Sequence, residues 1–325
     1  MQVETMGGQT GIPGNKDGLP GISLFRTPHH ITSTPNGDVY VSEMDNHQIR
    51  KLIYPHSEAK VFASGLTQAS ALHYSNDGNF YVSRFLDGTI TRITPSGTQT
   101  IVQAGFNRPM AVVTTSQGII WVANTFSSQI IRIAPDQSRQ IWTGIRAEHL
   151  ALDTQDNLIV PNLIDHTLRK IDANSSPIEA SQLPVIAGMA GARGYRDGPG
   201  AQALFSDLNG IAVSRNGSIF IADGASIRKI NPSGLVSTFT GIPTTTGNDD
   251  GLIDTATFTA ISGIALDSTG NLWITQGNGL IRRISNVDPA ISYSAFFPFN
   301  ENVEDESGQN HHGTLVGPRF TADRF

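Results

Sequence analysis

Short apolar runs alternate with turn residues along most of this chain, and the runs recur with a regular spacing. One class of run is rich in isoleucine and leucine and carries a basic residue or a basic pair just before its end. Successive copies end 41, 40, 38, 59 and 54 residues apart, so the underlying unit is about 40 residues long. The six copies end at Leu52, Ile93, Ile133, Ile171, Ile230 and Ile284.

Three further apolar runs accompany each copy, which predicts four strands per unit. A β-branched and aromatic run precedes the basic run, and a Gly or Asp precedes that run in turn, as a tight hairpin requires. A third run lies before the turn residue, and a fourth follows the basic run and ends in Gly. All the runs are too short for helices. The turn residues are Gly37, Gly78, Gly118, Asp156, Gly217 and Gly270.

Six units of four strands predict an all-β fold, the six-bladed β-propeller. Near-continuous apolarity in the second strand of each unit fits burial on both faces, where one blade packs on the next. The sixth unit supplies only three strands, whereas the N-terminus supplies an extra strand that begins at Val3. We therefore predict that residues 3–7 pair beside Leu280–Ile284 and close the ring, which removes open sheet edges.

The fifth unit resembles the NHL-repeat family. Its residues SIFIADGASIRKINPSGLVSTFTG, at 218–241, are similar to the family pattern of an apolar strand ending in Asp, an Ile-Arg-Lys-Ile strand and a strand ending in Gly. The resemblance covers residues 2–285 and is most specific in units one, five and six. Units two and three look closer to the related streptogramin-lyase-like propellers. The resemblance implies one propeller domain over residues 1–286.

The C-terminal residues resemble a second family. FPFN at 297–300, DESG at 305–308 and HGTLVG at 312–317 look like the opening of a LamG-like, concanavalin A-like lectin domain. About 30 residues are too few to bury the core of such a domain. We expect a linker at 287–293 and then a truncated, jelly-roll-like tail at 294–325, as part of a larger multidomain chain.

A second motif, Asp-Gly followed by six residues and Phe, precedes units one, five and six. In one interpretation, Asp17, Asp197, Asp249, Asp250 and Asp254 bind a cation together with backbone carbonyls, although the spacing matches no EF-hand loop. In the interpretation that we favour, Asp starts a turn, Gly supplies a positive φ, and Phe plugs the loop onto its blade. These units are neighbours in a closed ring, so the loops should form a continuous arc that offers a surface for a partner. The motif residues are Asp17, Gly18, Phe25, Asp197, Gly198, Phe205, Asp250, Gly251 and Phe258.

Positions seven residues before each turn residue lie near the mouth of the central channel, as the family resemblance implies. His30 and His149 occupy this position in units one and four, which are opposite each other in a ring of six, and they follow His29 and Glu148. Two histidines and a carboxylate can hold a metal or transfer protons. Some enzymes of the family, the peptide-amidating lyases, hold zinc with several channel histidines, and this chain matches them in part. We favour structural or ligand-contact roles, because the other units supply Ala or Gly.

The candidate residues near this mouth fall into two sets. The candidate catalytic residues are His30, Glu148 and His149. The candidate ligand-binding residues are His29, His30, Met110, Glu148, His149 and Asn209.

The basic runs hold ten of the 22 Lys and Arg residues. An RNA-binding protein, as some animal NHL propellers are, would cluster them on one face with aromatic side chains for stacking. Here they are distributed over all units, which favours stems between blades and charged heads at the rim. The net charge of −6 also disfavours nucleic acid. The ten residues are Arg50, Lys51, Arg92, Arg132, Arg169, Lys170, Arg228, Lys229, Arg282 and Arg283.

The composition and motif content exclude several classes of protein but do not indicate a function. The chain has no Cys, no apolar run of 18 residues and no signal-peptide pattern at its start. It also lacks a nucleophile elbow, a phosphate loop and an HExxH motif. The leading hypothesis is a non-enzymatic binding or scaffold module of a bacterial extracellular or cell-surface protein, which recognises protein or glycan and needs no cofactor. The alternatives are a channel-centred lyase or hydrolase, with Zn or Ca as the metal to consider, and an RNA-binding propeller.

Overall fold

The computed structural model describes residues 1–53 and 58–288, and over that span it is a six-bladed β-propeller, as predicted. In this part of the chain the helical segments are three single 3-10 turns, at Thr125–Ser127, Ala180–Gln182 and Gly200–Gln202. None of the described segments forms a helix long and apolar enough to cross a membrane.

Every blade is an antiparallel sheet of four main strands, numbered here in chain order. Strand β1 is Gln2–Gly7 and belongs to blade 6. Blade 1 contains β2 (Pro28–Ser33), β3 (Val39–Glu43), β4 (Gln48–Ile53) and β5 (Glu58–Ser64). Blade 2 contains β6 (Ala69–Tyr74), β7 (Phe80–Arg84), β8 (Thr89–Ile93) and β9 (Gln99–Ala104). Blade 3 contains β10 (Ala111–Thr114), β11 (Ile120–Asn124), β12 (Gln129–Ile133) and β13 (Arg139–Thr143).

The second half of the ring repeats this order with two short additions. Blade 4 contains β14 (Ala151–Leu152), β15 (Leu158–Asn162), β16 (Thr167–Ile171) and β17 (Val185–Ala187). Blade 5 contains β18 (Gly198–Pro199), β19 (Leu208–Val213), β20 (Ile219–Asp223), β21 (Ser226–Ile230) and β22 (Leu235–Gly241). Blade 6 contains β23 (Gly251–Leu252), β24 (Ile261–Leu266), β25 (Leu272–Gln276) and β26 (Leu280–Ile284), together with β1.

The N-terminal strand closes the ring beside the predicted partner strand. Strand β1 pairs antiparallel with β26, with Val3 opposite Ile284 and Glu4 opposite Arg283. Val3 is 1% exposed and lies in the apolar cluster between blades 5 and 6. Both ends of the propeller sequence therefore build blade 6.

The predicted turn residues all adopt the left-handed backbone conformation that a tight hairpin needs. Their φ angles lie between 62° and 88°, which glycine adopts without strain. Asp156 is the exception to glycine, and the Asp153 carboxylate stabilises its turn by accepting the N–H groups of Gln155 and Asn157 at 2.9 Å. This confirms the hairpin between the first and second strands of each unit.

The core lies between blades rather than within one blade. Each residue of β3, β15, β20 and β25 is buried, as expected for strands covered on both faces. Trp121 and Trp142 of blade 3, for example, share one cluster with Leu158 and Val160 of blade 4. Each blade is therefore stabilised by its neighbours.

One end of the ring carries the connections between blades. Because successive strands are antiparallel, the inter-blade connections and the hairpins between second and third strands lie at the same end, which we call the loop face.

The expected tail at 294–325 and most of the expected linker at 287–293 lie outside the described residues. Val287 and Asp288 are described, and both are buried against blade 6.

Candidate functional site

A β-bulge at the start of an inner strand explains why two consecutive histidines turn to the same side. Along a regular strand, neighbouring side chains point to opposite faces. In blade 1 the pairing jumps from Pro28 opposite Glu43 to Ile31 opposite Val41, so His29 and His30 lie in the irregular step. The Ser42 hydroxyl accepts the His30 N–H at 2.9 Å and fills this step. The bulge thus directs both imidazoles into the channel.

His149 reaches the same place from the opposite blade. Its ring stacks on that of His30, with centroids 3.9 Å apart and planes at 6°. The His29 ring lies 5.4 Å from His30 and 5.3 Å from His149. One ring nitrogen from each histidine lies within 4.8 Å of the others. Blades 1 and 4 therefore meet across the channel, and the three histidines form what we call the His cluster.

Backbone carbonyls fix the protonation of two of the rings. His29 Nδ1 lies 2.9 Å from the carbonyl oxygen of Ser70, and His30 Nε2 lies 3.2 Å from that of Glu148. A carbonyl oxygen only accepts hydrogen bonds, so these nitrogens carry the protons, and His29 Nε2 and His30 Nδ1 keep their lone pairs. His149 Nε2 and the Oδ1 atom of Asn209 are buried without a hydrogen-bond partner.

Burial keeps the His cluster neutral. Desolvation and, to a smaller extent, the neighbouring His29 lower the pKa of His30 to about 3. Desolvation is also the main cause that lowers the pKa of His149 well below its usual value, and it lowers the pKa of His29. Neutral imidazoles bind metals but donate protons poorly at neutral pH.

The carboxylate expected at this site is not part of the cluster. The titratable side chains that come together here are His29, His30 and His149, whereas Glu148 contributes its backbone oxygen. Desolvation raises the pKa of its partly buried carboxyl, and Arg146 opposes that shift. Met110 is buried, and its N–H donates to the carbonyl of Ala123 at 3.1 Å. The sequence suggested two histidines and a carboxylate at this site, whereas the structure brings three histidines together.

A cavity of about 280 Å³ follows the channel beyond the cluster. It is lined by the inner strands and by His30, His73 and His149. His73 Nε2 lies 3.1 Å from the hydroxyl of Thr114. Most of its lining side chains are aliphatic, and the histidines are the titratable groups among them.

Acidification should weaken the fold through His73. Desolvation lowers the pKa of His73 to about 4, below its unfolded value of about 6.5. Its neutral form therefore contributes stability above pH 6.5, and this contribution is lost as pH falls from 6.5 towards 4. We expect about 1 kcal/mol of loss at pH 5 from this residue, because the channel cavity beside it admits water. Urea unfolding at pH 7 and pH 5 should show a smaller difference for His73→Gln than for the wild type; equal differences would contradict the assignment.

The three Asp-Gly-Phe loops are fixed to their blades by buried arginines. Arg50, Arg228 and Arg282 are 0% exposed and occupy the same position of the third strand in blades 1, 5 and 6. Each forms an ion pair with the loop aspartate, at 2.9 Å to Asp17, 2.6 Å to Asp197 and 2.8 Å to Asp250. Each guanidinium also lies over the loop phenylalanine, 4.6 to 5.2 Å from its ring centre. Phe25, Phe205 and Phe258 are fully buried.

Each arginine also holds the loop backbone at two equivalent points. Arg228 donates to the carbonyl of Leu204, just before the phenylalanine, and to that of Arg196, just before the aspartate. Arg50 and Arg282 repeat both contacts, to Leu24 and Lys16 and to Thr257 and Asp249. The aspartates are therefore engaged by arginine rather than left free for a cation.

The clamped loops cover the outer edges of three blades. Gly18 bridges Ala59 on β5, β18 pairs with β22, and β23 pairs with β1. Gly18, Gly198 and Gly251 share φ angles of 135° to 141°, which disfavour any other residue. The loops thus form the expected arc over blades 5, 6 and 1, and they act as edge covers.

The loop face of blades 2 to 4 carries apolar and basic side chains instead. Leu86, Phe126 and Ile164, at the hairpin tips of successive blades, are 55%, 47% and 53% exposed. The guanidinium of Arg108, in the connection between blades 2 and 3, lies 4.8 Å from the Phe126 ring centre. The guanidinium of Arg146, in the connection between blades 3 and 4, lies 5.7 Å from the same ring centre. We call Phe85, Leu86, Arg108, Phe126, Arg146 and Ile164 the blade 2–4 patch.

A family model described as the teneurin NHL domain matches residues 38–251, from β3 to the Asp-Gly loop of blade 6. The chain belongs to the teneurin NHL domain family. Teneurin-3 of Danio rerio is 26% identical over 233 residues, which is 66% of this chain. The alignment spans only 8% of that protein, so the NHL propeller is the part that the two have in common.

Solved propellers of other proteins share the fold of this chain. An auxiliary nutrient binding protein from Bacteroides thetaiotaomicron is 18% identical with a TM-score of 0.74, and the alignment covers 87% of this chain and 76% of that chain. Virginiamycin B lyase from Staphylococcus aureus is 14% identical with a TM-score of 0.57, and the alignment covers 82% and 97% of the two chains. At such identities the similarity shows the architecture alone.

Two sets of residues could not be recognised from the sequence. The buried arginines look like ordinary rim residues, and their signal is partial. Blades 2 and 3 lack the Asp-Gly loop and have Thr91 and Ile131 at the arginine position, whereas blade 4 lacks the loop but has Arg169 there, paired with Asp165. The blade 2–4 patch has a weaker signal, an apolar residue at each hairpin tip where polar residues are usual.

Proposed function

We propose that this chain is a non-enzymatic binding module of an extracellular or cell-surface multidomain protein. It recognises a protein partner through the blade 2–4 patch. The supporting observation is the exposed Phe126, which lies between the guanidinium groups of Arg108 and Arg146, with its ring centre 5.6 Å from that of Phe85. Aromatic and arginine side chains are the residues that most often dominate binding energy at interfaces.

The charge of the patch indicates which side chains a partner would present to it. In the described residues, neither Arg108 nor Arg146 lies within ion-pair distance of a carboxylate. The chain as a whole carries a net charge of −6, so this positive, apolar area contrasts with the rest of the molecule. A partner segment with acidic and apolar side chains would complement it. A glycan is the second class of ligand to test.

One comparison supports a binding role, since a propeller of the same architecture is described as an auxiliary nutrient binding protein. Another propeller of this architecture is a lyase, so the proposal depends on the patch itself. Carbohydrate contact through a lectin-like tail stays a prediction, because residues 294–325 lie outside the described residues.

The geometry favours a channel-centred lyase or hydrolase less. The candidate bases His30 and His149 stack on each other, are at most 8% exposed, and have pKa values lowered by burial. The Glu148 carboxylate is not among the clustered side chains. A general acid or base works best with a pKa near the working pH, and a pKa of about 3 is far from it.

The structure also gives less support to RNA binding, because several of the basic residues that would contact phosphates are buried. Arg50, Arg228 and Arg282 are 0% exposed and Arg169 is 3% exposed, and each is paired with an acidic side chain. Four of the ten basic strand residues are therefore withdrawn from any phosphate. The other six are partly buried and distributed over all blades.

A patch variant should lose binding while keeping its fold. We expect fluorescent tetramers of the wild-type chain to bind intact cell surfaces, and Phe126→Ser with Arg108→Ser to weaken this binding at least about tenfold, as for interface anchors. The matched control is Ile101→Ser on β9, a residue that is 56% exposed at the outer edge of blade 2. Flow cytometry over a range of tetramer concentrations measures the effect.

Treatment of the cells decides the class of ligand. Loss of binding after protease treatment supports a protein partner, whereas loss after glycosidase treatment alone supports a glycan and contradicts the proposed class. Equal binding of the patch variant and the Ile101→Ser variant would overturn the assignment of the surface. Thermal melts of both variants should match the wild type, since all three side chains are exposed.

A further inference from the structure

We propose that His29, His30 and His149 bind one transition-metal ion of the zinc or copper class, and that this ion ties blade 1 to blade 4 as a structural centre. The cluster lies in the channel and is separate from the blade 2–4 patch. The metal site and the proposed partner surface can therefore fail independently.

The available lone pairs are the first argument. The carbonyls of Ser70 and Glu148 hold the protonated nitrogens of His29 and His30, so the opposite nitrogen of each ring is unprotonated. Hydrogen bonds from the far nitrogen of a histidine to a carbonyl are the usual outer support of a metal ligand. His149 adds Nε2, which is buried and makes no hydrogen bond of normal geometry, although the Asn209 side chain lies close enough to interact with this ring. A buried polar atom of this kind normally has a partner.

The distances allow one ion after movement of the rings. One ring nitrogen of each histidine lies within 4.8 Å of the others, and nitrogen atoms bound to one zinc at about 2.0–2.1 Å can be at most about 4 Å apart. The rings of His30 and His149 stack in parallel, and lone pairs lie in the ring planes, so binding requires both rings to rotate out of the stack and turn towards the ion.

The donor set selects the metal. Three neutral imidazoles suit zinc, copper or nickel, whereas calcium and magnesium prefer oxygen ligands. Asn209 lies close enough to His149 to oppose the lowering of its pKa, although its buried Oδ1 makes no hydrogen bond of normal geometry. That oxygen can turn to the ion, supply the fourth ligand and close the site, as a structural centre requires.

The burial points to a structural rather than a catalytic centre. His29 and His30 are 8% exposed and His149 is 3% exposed. Closed sites of this kind contribute to folding, whereas catalytic sites keep an open position. An ion here would connect residues 119 positions apart in the chain, since His30 precedes His149 by that number, and would span the channel.

The test uses the full chain without a polyhistidine tag, stripped with EDTA and titrated with Zn²⁺. We expect one zinc per chain by elemental analysis after gel filtration, and a rise in melting temperature of roughly 5 °C when free zinc is about 100 times its Kd. His30→Gln and His149→Gln should each lose the zinc and the rise. His73→Gln, which changes another channel histidine outside the cluster, should keep both.

A spectroscopic test on the wild-type chain does not require that the glutamine variants fold. Cu²⁺ added to the wild type in equimolar amount should give an electron paramagnetic resonance spectrum with nitrogen hyperfine splitting from several imidazoles. Zinc retained in both His30→Gln and His149→Gln would overturn the proposal. A wild-type spectrum without nitrogen coupling would overturn it as well, even if a glutamine variant proves unstable.

Discussion

Removal of residues 1–7 is expected to abolish the cooperative unfolding transition of the propeller. Strand β1 covers β26 on one side and β23 on the other, and Val3 is buried between blades 5 and 6. Without it, an apolar edge is open and the ring loses its only closure between chain ends. We expect a loss of at least about 5 kcal/mol, which is comparable to the whole stability of many domains. Circular dichroism during thermal unfolding, together with light scattering, measures the effect.

Point variants and a synthetic peptide distinguish the effect of losing ring closure from the effect of shortening the chain. Val3→Asp places a charge in the core and should destabilise by about 3 kcal/mol or more, whereas Glu4→Ala removes only a surface ion pair with Arg283 and should change stability by less than about 1 kcal/mol. A synthetic peptide of residues 1–8 added to the truncated chain should restore part of the melting temperature, and a scrambled peptide should not. A truncated chain that melts like the wild type would refute ring closure as the source of stability.

Arg228→Met is expected to destabilise the fold by about 3 to 5 kcal/mol, the usual effect of breaking a buried ion pair. The guanidinium pairs with Asp197 at 2.6 Å and with Asp223 at 2.9 Å, and the arginine and Asp223 side chains are both 0% exposed. Methionine fills a similar volume, so the variant tests charge and hydrogen bonds rather than a cavity. Urea denaturation gives the free energy of unfolding.

The neighbouring residue supplies the matched control. Lys229→Met changes a partly buried base on the other face of β21 and should alter stability by less than about 1 kcal/mol. Adding Asp223→Asn to Arg228→Met should recover part of the loss, because the uncompensated buried carboxylate is then gone. Burial already raises the pKa of Asp223, so the deficit of the single variant should be larger at pH 8 than at pH 5. Additive effects of the two substitutions would contradict a direct pair.

The sequence was sufficient for the architecture because the propeller repeats one local pattern. A run such as 218–222, a turn residue such as Gly217 and a basic run such as Ser226–Ile230 each report local backbone preference. Six copies in phase then leave little freedom for the fold. Even the pairing of β1 with β26 followed from a strand missing at one end and present at the other.

The chemistry of the site was less accessible because it depends on where side chains point. His30 and His149 were expected on opposite sides of the channel, but no periodicity indicates that their rings meet at 3.9 Å. The bulge that turns His29 inward needs the Ser42 hydroxyl from another strand. The carboxylate of Glu148 was expected to join them, yet the residue contributes only its carbonyl to His30.

The basic strand residues show the same limit. Arg228 and Lys229 are equivalent in composition and adjacent in sequence, yet one is fully buried and the other is partly exposed. Alternation along a strand predicts that they face opposite sides, but not that one side is closed by an Asp-Gly-Phe loop. The proposed partner surface differs from the expected one for the same reason, since the loops of blades 5, 6 and 1 are held on edges while exposed apolar hairpin tips lie on blades 2 to 4.

The pairing of β1 with β26 also imposes an order of events during synthesis. Val3 emerges first, but its partner Ile284 lies 281 positions later in the chain, so the ring stays open until nearly the whole propeller has been made. Closing a loop of that length carries an entropic penalty that grows only slowly with length, but contacts this distant slow folding markedly. We expect the last blade to form after the other five, and the exposed N-terminal strand to be the segment that chaperones or neighbouring chains can capture while translation continues.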